Sequence, residues 1–123
     1  MAGTMLQAAS CLRRRASRVE ASQSVYALWT CDGHEDVSRI RDVSLSGLFI
    51  ESPIEKNLGA PVKLHFLADE GQIRAAAVVC HVRHGEGLGL KLTAINIEDR
   101  QRLARLIRRL EHSPEVGHAR TAA

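Results

Sequence analysis

Aromatic side chains are nearly missing from this chain: Tyr26, Trp29, Phe49 and Phe66 are the whole set, 3% of 123 residues. A platform for single-stranded nucleic acid stacks successive bases on aromatic faces, so the composition argues against that class of function. The core must instead be built from Val, Leu, Ile and Ala. Lysine is equally sparse, present only at Lys56, Lys63 and Lys91, so arginine carries most of the net charge of +3. Arginine grips phosphates and planar bases bidentately, which suits a small anionic ligand better than a nucleic-acid polymer. No apolar run approaches the roughly 20 residues that span a bilayer, so membrane insertion is not expected. Cys11, Cys31 and Cys80 form an odd set without framework spacing, which fits a reducing cytoplasm. The start "MAGTMLQAASCLRRR" places its arginines after the small apolar residues, the reverse of a secretory signal.

The length is that of one domain, and 45% hydrophobic with 25% charged residues is an ordinary globular balance. Residues 1–12 read as a flexible leader, followed by a dense basic patch from Arg13 to Arg18. From Ser24 the pattern has period two: Val25, Ala27 and Trp29 alternate with Ser24, Tyr26 and Leu28, predicting a first strand. "CDGHED" supplies Asp-Gly hairpin chemistry, and a second strand is expected from Val37 to Ser44. A third covers Leu48 to Glu51, and a fourth is marked by Val62, Leu64 and Phe66 alternating with Lys63 and His65. "ADEG" turns into a long fifth strand, Gln72 to Arg83, and Gly85 to Gly87 leads into a sixth, Leu88 to Leu92. Six short strands at this spacing predict an antiparallel barrel or closed sheet.

The period then changes to that of a helix. Asn96 is placed to cap it, Glu98 and Asp99 supply negative charge in its first turn, and Leu103, Leu106, Ile107 and Leu110 share one face. Arg102, Arg105 and Arg109 fall on other faces, as a solvated surface. From Ser113 the tail "SPEVGHARTAA" is expected to be disordered, so the folded domain is expected over 13–112.

Two local patterns carry chemistry. In "RRRASR", Arg14 and Arg18 form Arg-x-x-x-Arg with Arg13 just before it. In "DVSLSG", Asp42, Ser44 and Gly47 form Asp-x-Ser-x-x-Gly at the end of the second expected strand. Residues i and i+2 of a strand share a face, so Asp42 and Ser44 are expected to project together while Val43 and Leu45 enter the core. A carboxylate and a hydroxyl suit the N1 and N2 donors of guanine. Gly47 either allows a positive φ or lets a ligand come close. The arginines can bond guanine O6 and N7, pair with phosphate or stack on a purine. Each pattern alone has an ordinary explanation: a turn stabilised by Asp and Ser, and a solvated basic tail.

Together these motifs resemble the PilZ family. The resemblance rests on Arg14, Arg18, Asp42, Ser44 and Gly47, and extends through "DVSLSGLFIES", "GEGLGLKL" and the C-terminal helix, covering roughly residues 13 to 110. It implies a mainly β fold: a six-stranded antiparallel β-barrel of the PilZ-like split-barrel type with a C-terminal α-helix. It further implies a cytoplasmic bacterial receptor for bis-(3′-5′)-cyclic dimeric GMP (cyclic di-GMP) that needs no cofactor and is not an enzyme. Arg14 and Arg18 would hold phosphates and guanine, Asp42 and Ser44 would hydrogen-bond guanine, and Gly47 would shape the turn. Arg13, a third arginine, favours two self-stacked ligands per domain. Binding would order the basic segment over the barrel and switch contact with an unidentified downstream protein. An alternative is a PilZ-fold interaction adaptor that ignores the nucleotide.

A zinc site is the enzyme-like rival, because Cys31-x-x-His34 and Cys80-x-x-x-His84 offer four N/S ligands. On an extended strand Cys80 and His84 would stand about 13 Å apart, too far to share one ion. Cys80 is therefore expected as a small apolar core residue, and no metal is expected.

Overall fold

The computed structural model describes residues 19–21 and 25–122, with side chains described as far as His112. Seven strands form one antiparallel sheet: β1 (Val19–Glu20), β2 (Tyr26–Cys31), β3 (His34–Val43), β4 (Gly47–Glu51), β5 (Pro61–Ala68), β6 (Gly71–Arg83) and β7 (Gly87–Ala94). A helix, α1 (Ile97–Ala122), follows. The strand order β3-β2-β5-β6-β7-β4 closes on itself through a β3–β4 pairing. The expected six-stranded antiparallel barrel with a C-terminal helix is therefore present.

The additional strand, β1, was not expected. It is two residues long, too short to show any alternation. It pairs with β3 in the register Val19↔Val43 and Glu20↔Asp42, and Ala21 N–H donates to the Arg41 carbonyl. On β3, β2 takes over at Tyr26↔Arg39. β1 therefore extends the same ladder that β2 forms.

The hairpin chemistry behaves as read. Cys31 pairs with His34, and the intervening Asp32 and Gly33 have φ of 53° and 76°. Both positive values are what a two-residue type I′ turn demands, and Asp-Gly tolerates them best. The barrel interior is filled by the alternating side of each strand: Ala27, Trp29, Ile40, Leu48, Ile50, Ile73, Leu88 and Leu90 are all fully buried. Trp29 is the largest of them, and its buried indole donates to Ser38 Oγ at 2.9 Å. That bond satisfies two buried polar groups at once.

Asn96 caps α1 as expected, its Oδ1 accepting from Asp99 N–H at 2.7 Å. Leu103, Leu106 and Leu110 are fully buried, and the helix packs on β6 and β1. The bounds of α1 reach into the stretch expected as a disordered tail. Two of its arginines are held rather than simply solvated. Arg102 pairs with Asp99 at 2.7 Å, and Arg109 grips Glu70 in the β5–β6 turn with two bonds of 2.7 and 3.0 Å. The Arg109 guanidinium holds the Glu70 carboxyl below the usual glutamate range against the opposing effect of burial.

That pair ties the helix to the barrel and gives a pH signature. A carboxyl with a depressed folded pKa contributes stability above its unfolded pKa, and the contribution fades as pH falls through the folded value. Glu70→Gln is thus expected to lower stability by about 1.5–3 kcal/mol at neutral pH. In chemical denaturation curves the deficit should shrink as pH is lowered below the ordinary glutamate range. A deficit that stays constant down to pH 3 would show that the pair contributes nothing electrostatic.

Among the described residues, no helix is long and apolar enough to cross a membrane.

Candidate functional site

The site is built on the outer surface of β3, β4, β7 and β6. Leu48 and Ile50 of β4 fill the barrel, so Gly47 and Phe49 lie on the opposite side; by the same alternation Gly87, Gly89 and Lys91 of β7 face outward beside Leu88 and Leu90. Strand registers then align outward residues in rows. Asp42 pairs with Phe49, Phe49 with Gly89, and Gly89 with His81. A parallel row runs from Glu51 through Gly87 to Arg83, and another joins Gly47 through Lys91 to Val78. The result is a low shelf with the Phe49 ring at its centre, only 6% exposed, and glycines beside it.

The glycines are required by packing. A Cβ on Gly87 would lie 2.0 Å from the Ile50 carbonyl oxygen and 2.8 Å from the Phe49 ring, and one on Gly89 would lie 3.0 Å from His81 Cβ. Side chains there would lift both neighbours, so this stretch of "GEGLGLKL" keeps the shelf flat.

Asp42, Ser44 and Gly47 are brought together at the β3–β4 turn, but not in the expected geometry. The β3–β4 register shifts between Ile40 and Asp42, which leaves Arg41 as a bulge, and β3 ends at Val43. Asp42 is half-buried on the outer side, whereas Ser44 is 1% exposed. The Ser44 hydroxyl donates to the Gly47 carbonyl at 3.3 Å and accepts from Ser46 N–H at 3.2 Å. Ser44 N–H also donates to the Gly47 carbonyl at 2.8 Å. Ser44 therefore closes the turn and does not share a face with Asp42, because the chain has already left the strand. Leu45 is only partly buried against the core. Among the described residues the positive-φ glycines are Gly33, Gly59, Gly71 and Gly85, and Gly47 is not one of them. Of its two expected uses, close approach is the one left. Arg13, Arg14 and Arg18 lie outside the described residues.

Sequence reasoning missed the charged lattice over Phe49. The Arg41 guanidinium lies 4.7 Å from the ring centroid, and that of Arg83 lies 5.6 Å away. Arg41 pairs with Glu51 at 3.3 Å and Glu86 at 3.4 Å. Arg39 shares Glu51 at 3.1 Å, and Arg83 reaches Glu86 at 3.8 Å. Desolvation works against the Arg41 charge, but the hydrogen bonds to Glu51 and Glu86 outweigh it and raise its pKa further above neutrality. Among the described residues, four cations (Arg39, Arg41, Arg83 and Lys91) face three carboxylates (Glu51, Glu86 and Asp42), which leaves a surplus of one positive charge on the shelf. The signal available in the sequence was Phe49 itself: a rare aromatic between two core residues of a strand must point outward.

The zinc reading finds no support in the cysteines. Cys31 is a free thiol buried in the core, where burial and the Asp32 charge push its pKa up. Cys80 corrects the core expectation: it is half-buried and lies outside the core cluster. Among the described residues no cluster of three or more His, Cys, Asp or Glu could hold a metal ion.

The comparisons with known proteins converge on one fold. The PilZ domain family model matches residues 12–109. The PilZ domain of YcgR from Escherichia coli, solved with c-di-GMP, is 21% identical with a TM-score of 0.68, covering 85% of this chain and 96% of that one. The PilZ domain of CeSA from a cellulose-synthesizing bacterium is 18% identical with a TM-score of 0.61, covering 79% of this chain and 100% of that one. PlzA of Borreliella burgdorferi, solved in complex with c-di-GMP, is 16% identical with a TM-score of 0.58, and the match takes in 85% of this chain but 46% of PlzA. No curated protein matches the sequence. With a family model spanning most of its length and its barrel in place, this chain belongs to the PilZ domain family.

Proposed function

We propose that this protein is a cyclic di-GMP receptor that acts by binding and not by catalysis. The observation that carries the reading is the row Asp42–Phe49–Gly89–His81 across four strands. It places a carboxylate beside a flat, ringed shelf with surplus positive charge. The carboxylate suits the N1 and N2 donors of guanine, and the charge suits the phosphates. Two PilZ-fold structures similar to this chain were solved with c-di-GMP, which supports the same ligand here. In this reading Arg13, Arg14 and Arg18 close over the shelf and Gly47 admits the ligand. Arg13 favours a stacked pair of dinucleotides. Ordering of the basic segment then changes the surface offered to a downstream protein in the bacterial cytoplasm.

One observation favours the adaptor alternative. The Ser44 hydroxyl is already engaged inside its turn, so part of the Asp-x-Ser-x-x-Gly pattern has a structural use without any ligand. Calorimetric titration of the full chain with cyclic di-GMP separates the two. The receptor reading predicts saturable heat, and the adaptor reading predicts a folded protein that gives none.

A further inference from the structure

Resting on the cyclic di-GMP reading, we infer that Arg41 is a guanine-stacking residue of the site, with Arg83 beside it as a phosphate partner. Neither belongs to the Arg-x-x-x-Arg or Asp-x-Ser-x-x-Gly pattern. Arg41 occupies the bulge directly before Asp42, so the β3 backbone delivers a carboxylate and a guanidinium to the same edge of the shelf. Its inner side is taken by Phe49, 4.7 Å from the ring centroid. Its nitrogens are held from two directions, Nε by Glu51 at 3.3 Å and Nη1 by Glu86 at 3.4 Å. A guanidinium fixed in this way is preorganised, because the entropy of ordering a long side chain is lost on folding rather than on binding. Its side chain is nonetheless 36% exposed, so part of it stays open to solvent one residue before Asp42.

That surface matches a purine. A guanidinium plane stacks on an aromatic base, and a ring beneath it completes a phenyl–guanidinium–base sandwich. Lysine cannot do the same, since its ammonium is a hydrated point charge without a plane. Arg83 differs in kind. It is 56% exposed, and its 3.8 Å pair with Glu86 is the loosest of the lattice's four pairs. Such a weak surface pair exchanges readily for a phosphate, which offers a bidentate fork.

The test is titration calorimetry of full-length protein with cyclic di-GMP. Wild type, Arg41→Lys, Arg83→Lys and Asp42→Ala are compared at low and at physiological salt, each checked for folding by circular dichroism. Arg41→Lys is expected to lose about tenfold in affinity, and because its charge is kept, the loss should persist at low salt. Arg83→Lys, keeping a phosphate-binding cation, should lose less and recover at low salt. If Arg41→Lys binds within twofold of wild type while Asp42→Ala does not bind, the stacking role is overturned and the receptor reading survives. A deficit of Arg41→Lys that vanishes at low salt also overturns stacking. Should Arg41→Lys fail to fold, Arg41→Gln, which keeps a planar terminus without charge, takes its place and must retain more affinity than Arg41→Ala. No heat from folded wild type removes both the inference and the reading beneath it.

Discussion

Asp42→Ala is expected to abolish most cyclic di-GMP binding, a loss of about 2–4 kcal/mol, or roughly thirty- to a thousand-fold in affinity. The size follows from asymmetry. Guanine presents two adjacent donors, and removing the carboxylate leaves them desolvated against the shelf with nothing to accept them. Asp42 sits at the end of the Asp42–Phe49–Gly89–His81 row and on β3 beside β1. Its backbone is therefore held on both edges, and truncation should not move the strand. Calorimetry on the variant checks this, with the melting temperature as the control for folding. Wild-type affinity in a folded Asp42→Ala protein would place the ligand elsewhere.

The largest expected loss of stability is at Trp29. Its side chain is fully buried and its indole N–H bonds Ser38 in the barrel interior. Trp29→Ala leaves a large cavity and an orphaned hydroxyl, a loss of about 3–5 kcal/mol. Urea unfolding should show the midpoint falling with little change in slope. Binding should survive in the fraction that folds, because Trp29 points inward and the shelf lies on the outer surface of other strands. A loss below about 1 kcal/mol would mean that the barrel can collapse around the missing ring.

Much of the barrel could be read from alternation alone. Val62, Leu64 and Phe66 are buried while Lys63 between them is exposed, as a half-wet strand requires. The Asp32–Gly33 hairpin and the Asn96 cap were equally readable, because turn and cap chemistry are local. β1 was not, since two residues hold no period and its pairing with Val43 and Asp42 is a tertiary fact.

The site was legible as residue types but not as geometry. Asp42, Ser44 and Gly47 do converge on one turn, yet a strand of strict period two would put Asp42 and Ser44 on one face. The bulge at Arg41 and the early end of β3 separate them. A one-residue irregularity changes every facing beyond it, and nothing in "RDVSLSG" announces it. Arg41 was invisible for the same reason, as one arginine among many until the fold set it over Phe49. The contribution of Gly87 and Gly89 depends on the distance to a neighbouring strand, which no local pattern encodes.

The central claim is that this barrel presents a cyclic di-GMP site. Isothermal titration of the full chain with cyclic di-GMP at physiological salt tests it most directly, because one curve reports both binding and stoichiometry. Saturable heat with two ligands per chain, and none with cyclic di-AMP at the same concentrations, is the predicted result. A folded protein that gives no heat with cyclic di-GMP would contradict it.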